Sequence, residues 1–465
     1  MKKSHLSRRQ FLKVSAMASG ALALAACTPA GAPAGGSEQA AAGGDAAPSA
    51  EGGVVQYWFD WGGAYAGATW EALQETETLK ELLGNYTLEV KGSSGREPLL
   101  TAVAAGTPPE GASNTQYLDY MARGVLIPVA DWVDASDIIK KEAYLEGSWN
   151  DAFDTEGVMY GVPANEGFLR YALNYNAEMV AEAGLDPDDP PTTWEECLVW
   201  HEAITKFDTA GNLLQIGMDP FDAMGGQLAI QDGFYPAVSW NFTWFDPESG
   251  EFNVDNDMMV EAFNIMGEFY KIAGPDNMAG MRQVEGNGMW GGSYQNRVQA
   301  MMIDGYWRPG GTYISTPEVG EHNRAVWAPV PTARDGVKVQ GYGGHYVIFF
   351  KEAPNTSKMY EISEFLNTNE ACDIIFANVG WLPGLKSYLE TVDPNVYPGL
   401  KFYFDSADEA DEFSSPARCA MTDFSRTQWT ELREKVYREE MTAQEAASEF
   451  QNRLETEWKQ LGLGS

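Results

Sequence analysis

Apolar and polar positions alternate in blocks over the first folded-looking part of this chain. Val54-Val55-Gln56-Tyr57-Trp58-Phe59 is nearly continuous in apolar character, the pattern of a buried strand. Leu73, Thr76, Leu79 and Leu83 then recur at helical spacing and predict one helix over 68–83, stopped by Gly84-Asn85. Tyr86-Thr87-Leu88-Glu89-Val90 alternates apolar and polar and predicts a second strand. Arg96 to Ala105 reads as a second helix, closed by Gly106-Thr107-Pro108-Pro109. A β-α-β-α order implies a mostly parallel sheet with helices on its faces. Ligands of such sheets bind beyond the carboxyl ends of the strands. The stretch Tyr57-Trp58-Phe59-Asp60-Trp61-Gly62-Gly63 falls at such a place.

Further along, Leu169 to Asn174 reads as a strand and Asn176 to Ala183 as a helix closed by Gly184. Thr193 with Glu196, and Thr442 with Glu445, have the spacing of capping boxes that open helices. After the second box, Ala446, Phe450, Leu454, Trp458 and Leu461 line one helical face, expected to pack on the core. Trp194 is assigned to helix packing in the same way.

The N-terminus reads as an address. Ser7-Arg8-Arg9-Gln10-Phe11-Leu12-Lys13 matches the twin-arginine export pattern, and the apolar run Val14 to Ala26 suits a signal h-region. Leu24-Ala25-Ala26-Cys27 resembles a bacterial lipobox, with small residues before a cysteine that would carry lipid. The reading is a signal peptide over 1–26, then an Ala/Gly/Pro tether over 27–53 whose composition cannot bury a core. With Cys27 lipidated, Cys197, Cys372 and Cys419 remain. At most one disulfide can form among them, and none is expected, because Cys197 and Cys372 sit in helical patterns where a small apolar residue serves as well. The 4 histidines form no HExxH or similar pair, so a zinc or haem enzyme is not expected.

Net charge is −36, and the export segment carries basic residues (Lys2, Lys3, Arg8, Arg9 and Lys13) but no acid, so the rest of the chain is more negative still. Such a surface argues against nucleic acid and against anionic membranes, and is compatible with a neutral or cationic ligand. Aromatic side chains make up 12% of residues, including 15 tryptophans, enough to supply both a core and a stacking site.

The order of several segments now carries a family likeness. LLTAVAAGTPPE (99–110), YLDYMARGVLIPV (117–129) and YGVPANEGFLRYALNYNAEMVAEAGLDP (160–187) with PPTTWEE (190–196) resemble successive segments of the extracellular solute-binding proteins of family 1. These are the carbohydrate-binding receptors of ABC importers, a group that includes maltose-binding protein. NRVQAMMIDGYW (296–307), WAPVPTARDG (327–336), GYGGHYVI (341–348) and EFLNTNEACDIIFANVGWLP (364–383) are similar to its later segments. Pro109-Glu110-Gly111 departs from the family's Pro-Asp turn, Ala177 replaces a customary lysine, and Gly286 to Gly292 has no clear counterpart. That last segment either tailors the pocket or is a surface insertion.

The resemblance implies an α/β fold, a two-lobed periplasmic-binding-protein-like (type II) clamshell with three interlobe crossings. Lobe 1 would comprise 54–163 plus 344–390, and lobe 2 164–343 plus 391–465. The crossings are expected near Pro163, near Gly343-Gly344 and between Lys386 and Pro398. Ligand would sit in the cleft and hinge bending would close over it. The implied protein is no enzyme and needs no cofactor. It is a monomer held to the membrane by lipid only, with a small carbohydrate ligand and ABC permease subunits as partners.

Sugars are recognised by aromatic faces together with Asp, Asn, Glu and Arg side chains that bond hydroxyls. Trp58, Asp60 and Trp61 supply both kinds of group near one strand end, with Tyr57 and Phe59 expected in the core by period-two alternation. Asn114 and Gln116 follow the next strand end. Glu166 comes just after the first crossing and should face the cleft, the alternative being a hinge salt bridge. Trp240 either stacks on ligand or fills lobe 2. Trp307 falls on the family's G-x-W position, where tryptophan lines the pocket. Gly343 and Gly344 would let backbone approach ligand closely, and His345 beside them would bond a hydroxyl or serve structure. Trp381 and Arg418 are placed on loops facing the same cleft. The rival ligand within this fold is a polyamine, which would want carboxylates alone around the aromatics. A secreted glycoside hydrolase would need a positioned carboxylate pair, and no catalytic motif appears. The twin-arginine route often carries cofactor-loaded proteins, but no cofactor site is visible, so the route is read as a habit of the host.

Overall fold

The first apolar run forms β1 (Val54–Phe59), and its alternation is visible in burial. Val55, Tyr57 and Phe59 are buried, while Gln56 and Trp58 are half-buried on the other face. The chain divides into Met1–Ala50 and Glu51–Ser465. This computed structural model describes residues 52–59, 65–92, 96–113, 117–150, 152–154, 156–220, 234–284, 286–287, 290–415 and 417–463.

The remaining strands of the two main sheets are β2 (Thr87–Lys91), β3 (Gly111–Ser113), β4 (Gly161–Pro163), β5 (Ala172–Asn176), β6 (Met301–Asp304), β7 (Asn323–Val326) and β8 (Tyr346–Phe349). The first sheet has the order β2-β1-β3-β8-β4. The expected parallel pairing holds for β1 with β2 and β3, whereas β8 is antiparallel to both β3 and β4. The second sheet, β6-β5-β7, is antiparallel throughout.

The single helix expected over 68–83 is two helices, α1 (Ala66–Gln74) and α2 (Glu77–Leu83). Thr76 is the reason: its hydroxyl accepts the Leu79 N–H at 3.2 Å and donates to Leu73 O at 2.8 Å, so it caps a new helix instead of filling a core position. The strand expected from Leu169 begins three residues later, at Ala172. Leu169 and Arg170 instead pair with the segment at Gly341 and Tyr342. Both capping boxes form, opening α3 (Trp194–Ile204) at Thr193 and α10 (Ala443–Gln460) at Thr442.

The other helices used below are α4 (Asp257–Ala273), α5 (Trp307–Ser315), α6 (Thr356–Phe365), α7 (Asn369–Val379), α8 (Leu400–Glu409) and α9 (Thr422–Tyr437). Two large apolar clusters organise them. One joins β1, α1, β8, α6 and α7 through Tyr57, Trp70, Leu73, Val347, Ile362 and Ile375. The other joins β5, α3, α4, α9 and α10 through Leu173, Trp194, Met266, Trp429 and Phe450. In α4, Met259, Phe263, Met266 and Tyr270 recur every three or four residues and face α9 and α10. Full burial of such side chains contributes roughly 1.5–3 kcal/mol each. On α10, Ala446, Phe450 and Leu454 are buried and Trp458 packs on Phe245 and Phe252. Leu461, expected on that face, lies past the last turn and is exposed. Cys197, Cys372 and Cys419 are buried free thiols. Among the described residues no helix is long and apolar enough to cross a membrane.

The clusters meet where 164–170 runs antiparallel to 341–346. Ala164 N–H donates to His345 O (2.9 Å), His345 N–H to Glu166 O (3.0 Å) and Arg170 N–H to Gly341 O (3.0 Å). Gly167 N–H donates to Leu382 O (3.0 Å) and ties in a third segment. After it, the turn Lys386–Leu389 packs on the first cluster, where Tyr388 donates to Asp373. Pro398 O then accepts from Asn323, at the start of β7 in the second sheet.

Candidate ligand site at the junction of the lobes

Short antiparallel pairing at the junction brings residues 171 to 181 positions apart into one place. Glu166 follows β4 by three residues and is 2% exposed. Its Oε2 receives Arg170 Nη2 at 3.0 Å, four residues further along the chain. His345 Nε2 lies 3.6 Å from the same oxygen. The His345 ring meets Trp381 edge to face, centroids 4.9 Å apart. The Arg170 guanidinium stands over Trp307, 5.3 Å from the ring centroid, a cation–π arrangement. Trp307 also meets Tyr306 at 5.3 Å and Trp290 at 6.5 Å.

Glycine makes these approaches possible. A Cβ on Gly344 would stand 2.9 Å from Glu166 O, and one on Gly343 would overlap the Arg170 side chain. Gly305 leaves the room that the Trp307 indole occupies.

Burial sets the electrostatics. Desolvation pushes the Glu166 carboxyl up to about 7, against the opposing pull of Arg170 and of the nearby Tyr306 hydroxyl. Burial, with Arg170 close by, holds His345 well below its ordinary range, so the imidazole is neutral at pH 7. The contact with Glu166 is therefore between a neutral ring and a carboxyl, not a salt bridge.

Several polar atoms here have no hydrogen-bond partner among the described residues: Asn165 Nδ2 and Oδ1, Glu166 Oε1 and His345 Nδ1. Asn165 is 1% exposed. A buried polar group left unpaired costs about 1–3 kcal/mol, so a cluster of them marks a place where something else completes the bonding. Asn165 offers one donor group and one acceptor, Glu166 an acceptor, and His345 either according to its tautomer.

Of the residues singled out from sequence, the structure thus brings together Glu166, Trp307, Gly344, His345 and Trp381. Trp58 is elsewhere, half-buried on the first sheet with Lys91 Nζ 3.7 Å from its ring centroid. Trp240 is stacked on Trp194 at 5.6 Å inside the second cluster, which places it in the core. Arg418 is half-buried ahead of α9, its Nε and Nη2 without partners among the described residues, and it makes no described contact with the junction cluster. Asp60, Trp61, Asn114 and Gln116 lie outside the described residues. Asn165, Arg170 and Trp290 escaped the sequence reading. Arg170 was legible in principle as the i+4 partner of Glu166.

A model of the bacterial extracellular solute-binding protein family matches residues 67–371. The chain belongs to that family. A twin-arginine translocation signal matches residues 5–25, so this solute-binding protein is exported from the cytoplasm. Its family is one of solute-binding proteins, not of enzymes. No curated protein matches the chain in sequence. Among solved structures it is similar to CpMnBP1 with mannotriose bound: 17% identity, TM-score 0.73, covering 86% of this chain and 99% of that one. It is also similar to an ABC substrate-binding protein from Listeria monocytogenes in complex with cycloalternan, at 16% identity and TM-score 0.69, covering 89% of this chain and 100% of the other. The GacH receptor of Streptomyces glaucescens, solved unliganded and with acarbose, gives 18% identity and TM-score 0.67 over 89% and 100% of the two chains. The solute-binding protein therefore has the two-lobed type II clamshell fold.

Proposed function

We propose that this protein captures a carbohydrate in the cleft between its lobes and delivers it to an ABC permease, as a monomer tethered outside the cytoplasm by lipid on Cys27. The supporting observation is the junction cluster. Trp307 stands under Arg170 and Trp381 against His345, and the buried Asn165 and Glu166 and the half-buried His345 have bonding that is incomplete among the described residues. Rings with an apolar C–H face and a rim of hydroxyls match that mixture, each hydroxyl able to donate and accept. The groups are a neutral amide, a neutral imidazole, a carboxyl and a guanidinium. Carboxylates alone would suit a polyamine, and the Arg170 cation works against one. The solved relatives with mannotriose, cycloalternan and acarbose support the sugar class. The lobes are taken as 54–163 plus 344–390 and 164–343 plus 391–465, closing about the junction.

The test is thermal unfolding of the unit from Glu51 to Ser465 against mono- and oligosaccharides and polyamines. Ligand at ~100 times its Kd adds about 2.7 kcal/mol. With an unfolding entropy near 2.1 cal/mol/K per residue, that is a rise of about 3 °C. A rise with one saccharide series supports the proposal. Rises with polyamines alone overturn the ligand class.

A further inference from the structure

Gly286 to Gly292 has no evident counterpart in the family pattern, and Asn287 and Gly291 within it are closely held. Asn287 is buried, with Nδ2 donating to Met281 O at 3.1 Å and Oδ1 accepting from Asn296 Nδ2 at 2.8 Å. Gly291 is left-handed at φ 71°, and a Cβ there would overlap the Arg308 guanidinium. That guanidinium is itself fixed by a buried ion pair, Nη2 to Asp304 Oδ2 at 2.6 Å. Burial raises the Asp304 carboxyl, and Arg308, the Gly305 N–H and the Trp290 indole oppose the rise. Trp290 and Gly291 therefore lie against Asp304 and Arg308, while Trp290 stays 43% exposed.

Trp290 does not stand on open surface: its ring centroid is 6.5 Å from that of Trp307, the planes inclined by 52°. Arg170 also stands over Trp307, which is only 9% exposed. Trp307 is thus the enclosed ring at the junction, and Trp290 the open ring next to it.

We propose that Trp290 is the platform for a second saccharide unit and makes this receptor selective for oligosaccharides over monosaccharides. The inference rests on the carbohydrate reading above. Trp307 and the polar cluster hold the first unit. The neighbouring unit lies against Trp290, whose cost in exposed apolar area is offset only when a ligand longer than one ring covers it.

The experiment is calorimetric titration of wild type, Trp290→Ala, Trp290→Phe and Trp307→Ala with gluco-, manno-, xylo- and galacto-saccharides from monomer to tetramer. An aromatic platform is worth about tenfold in affinity. Wild type is expected to prefer the dimer or longer member of its series by at least that factor. Trp290→Ala should erase the preference and leave monomer affinity within about twofold, Trp290→Phe should keep most of it, and Trp307→Ala should weaken every length. If Trp290→Ala weakens all lengths equally or none, or if wild type shows no length preference, the inference is overturned and the carbohydrate reading stands. If wild type binds no saccharide, both fall.

Discussion

Replacing Glu166 by Gln should make the protein more stable and worse at binding. The carboxyl is 2% exposed and desolvation raises it from 4.5 to about 7. A folded-state value above the unfolded one means that the native state holds the proton more tightly. The carboxyl therefore lowers stability progressively as pH rises from about 4.5 to about 7, and the loss is complete above that window. Each pH unit in the window is worth about 1.4 kcal/mol, so wild type forfeits roughly 3 kcal/mol between acid and pH 8 that the Gln variant keeps. The groups facing the carboxyl, Arg170, Tyr306 and His345, are present in both proteins, so their own pH dependence cancels in the comparison to first order. With an unfolding entropy near 2.1 cal/mol/K per residue, the gap between variant and wild type should widen by about 4 °C in Tm from pH 4.5 to pH 8. Ligand affinity should move the other way. A hydrogen bond to a charged acceptor is worth about 1.5–3 kcal/mol, so binding at pH 8 should weaken by roughly 10- to 100-fold. The assay is paired melting curves across pH together with titration of the saccharide that stabilises wild type. A constant Tm gap across pH would refute the electrostatic reasoning, and unchanged affinity would remove Glu166 from the site.

Other perturbations have defined outcomes. His201 is buried, with Nε2 on Phe269 O and Nδ1 accepting the Met218 N–H, and burial lowers it from 6.5 to about 4. Its folded value is depressed, so stability is full above pH 6.5 and falls by roughly 3 kcal/mol on acidification to pH 4; His201→Gln should lose less over that range in urea melts, and parallel curves would contradict this. Gly380 ends α7 in the left-handed region at φ 73°, and a Cβ would stand 2.7 Å from Gly310 Cα in α5. Gly380→Ala should therefore cost at least about 1–2 kcal/mol in a chemical melt; an unchanged midpoint would contradict the close packing of these helices. Burial pushes the Cys372 and Cys419 thiols up to about 12 and Cys197 well above its ordinary value, so a thiol reagent at pH 8 should label them only after unfolding. Rapid labelling of the native protein would contradict their burial.

What could be read from the sequence followed from local rules. The alternation of β1 and the two capping boxes depend on near neighbours, and all three formed as written. Thr76 was misread because its spacing fits a helix face equally well, and only its hydroxyl bonds to Leu73 and Leu79 show it to be a cap. The late start of β5 was invisible because Leu169 and Arg170 are claimed by pairing with a segment some 170 residues away. The antiparallel second sheet is likewise a matter of topology, not of pattern. At the site, tryptophan was the ambiguous residue. Its area serves a core or a ligand equally, and in the structure both lie against core clusters, Trp240 stacked on Trp194 and Trp307 under Arg170. Arg170's place between Glu166 and the Trp307 ring was not apparent because it depends on the fold around it, which residue type alone does not reveal.

The central claim is that a saccharide ring lies against Trp307 with its hydroxyls on Asn165, Glu166 and His345. A crystal structure with the saccharide that most stabilises the protein tests it directly. The account predicts a pyranose face stacked on the Trp307 indole and hydrogen bonds to Asn165 Nδ2 or Oδ1 and Glu166 Oε1, atoms that lack partners among the described residues. A saccharide bound elsewhere, with those atoms still unpaired, would contradict it.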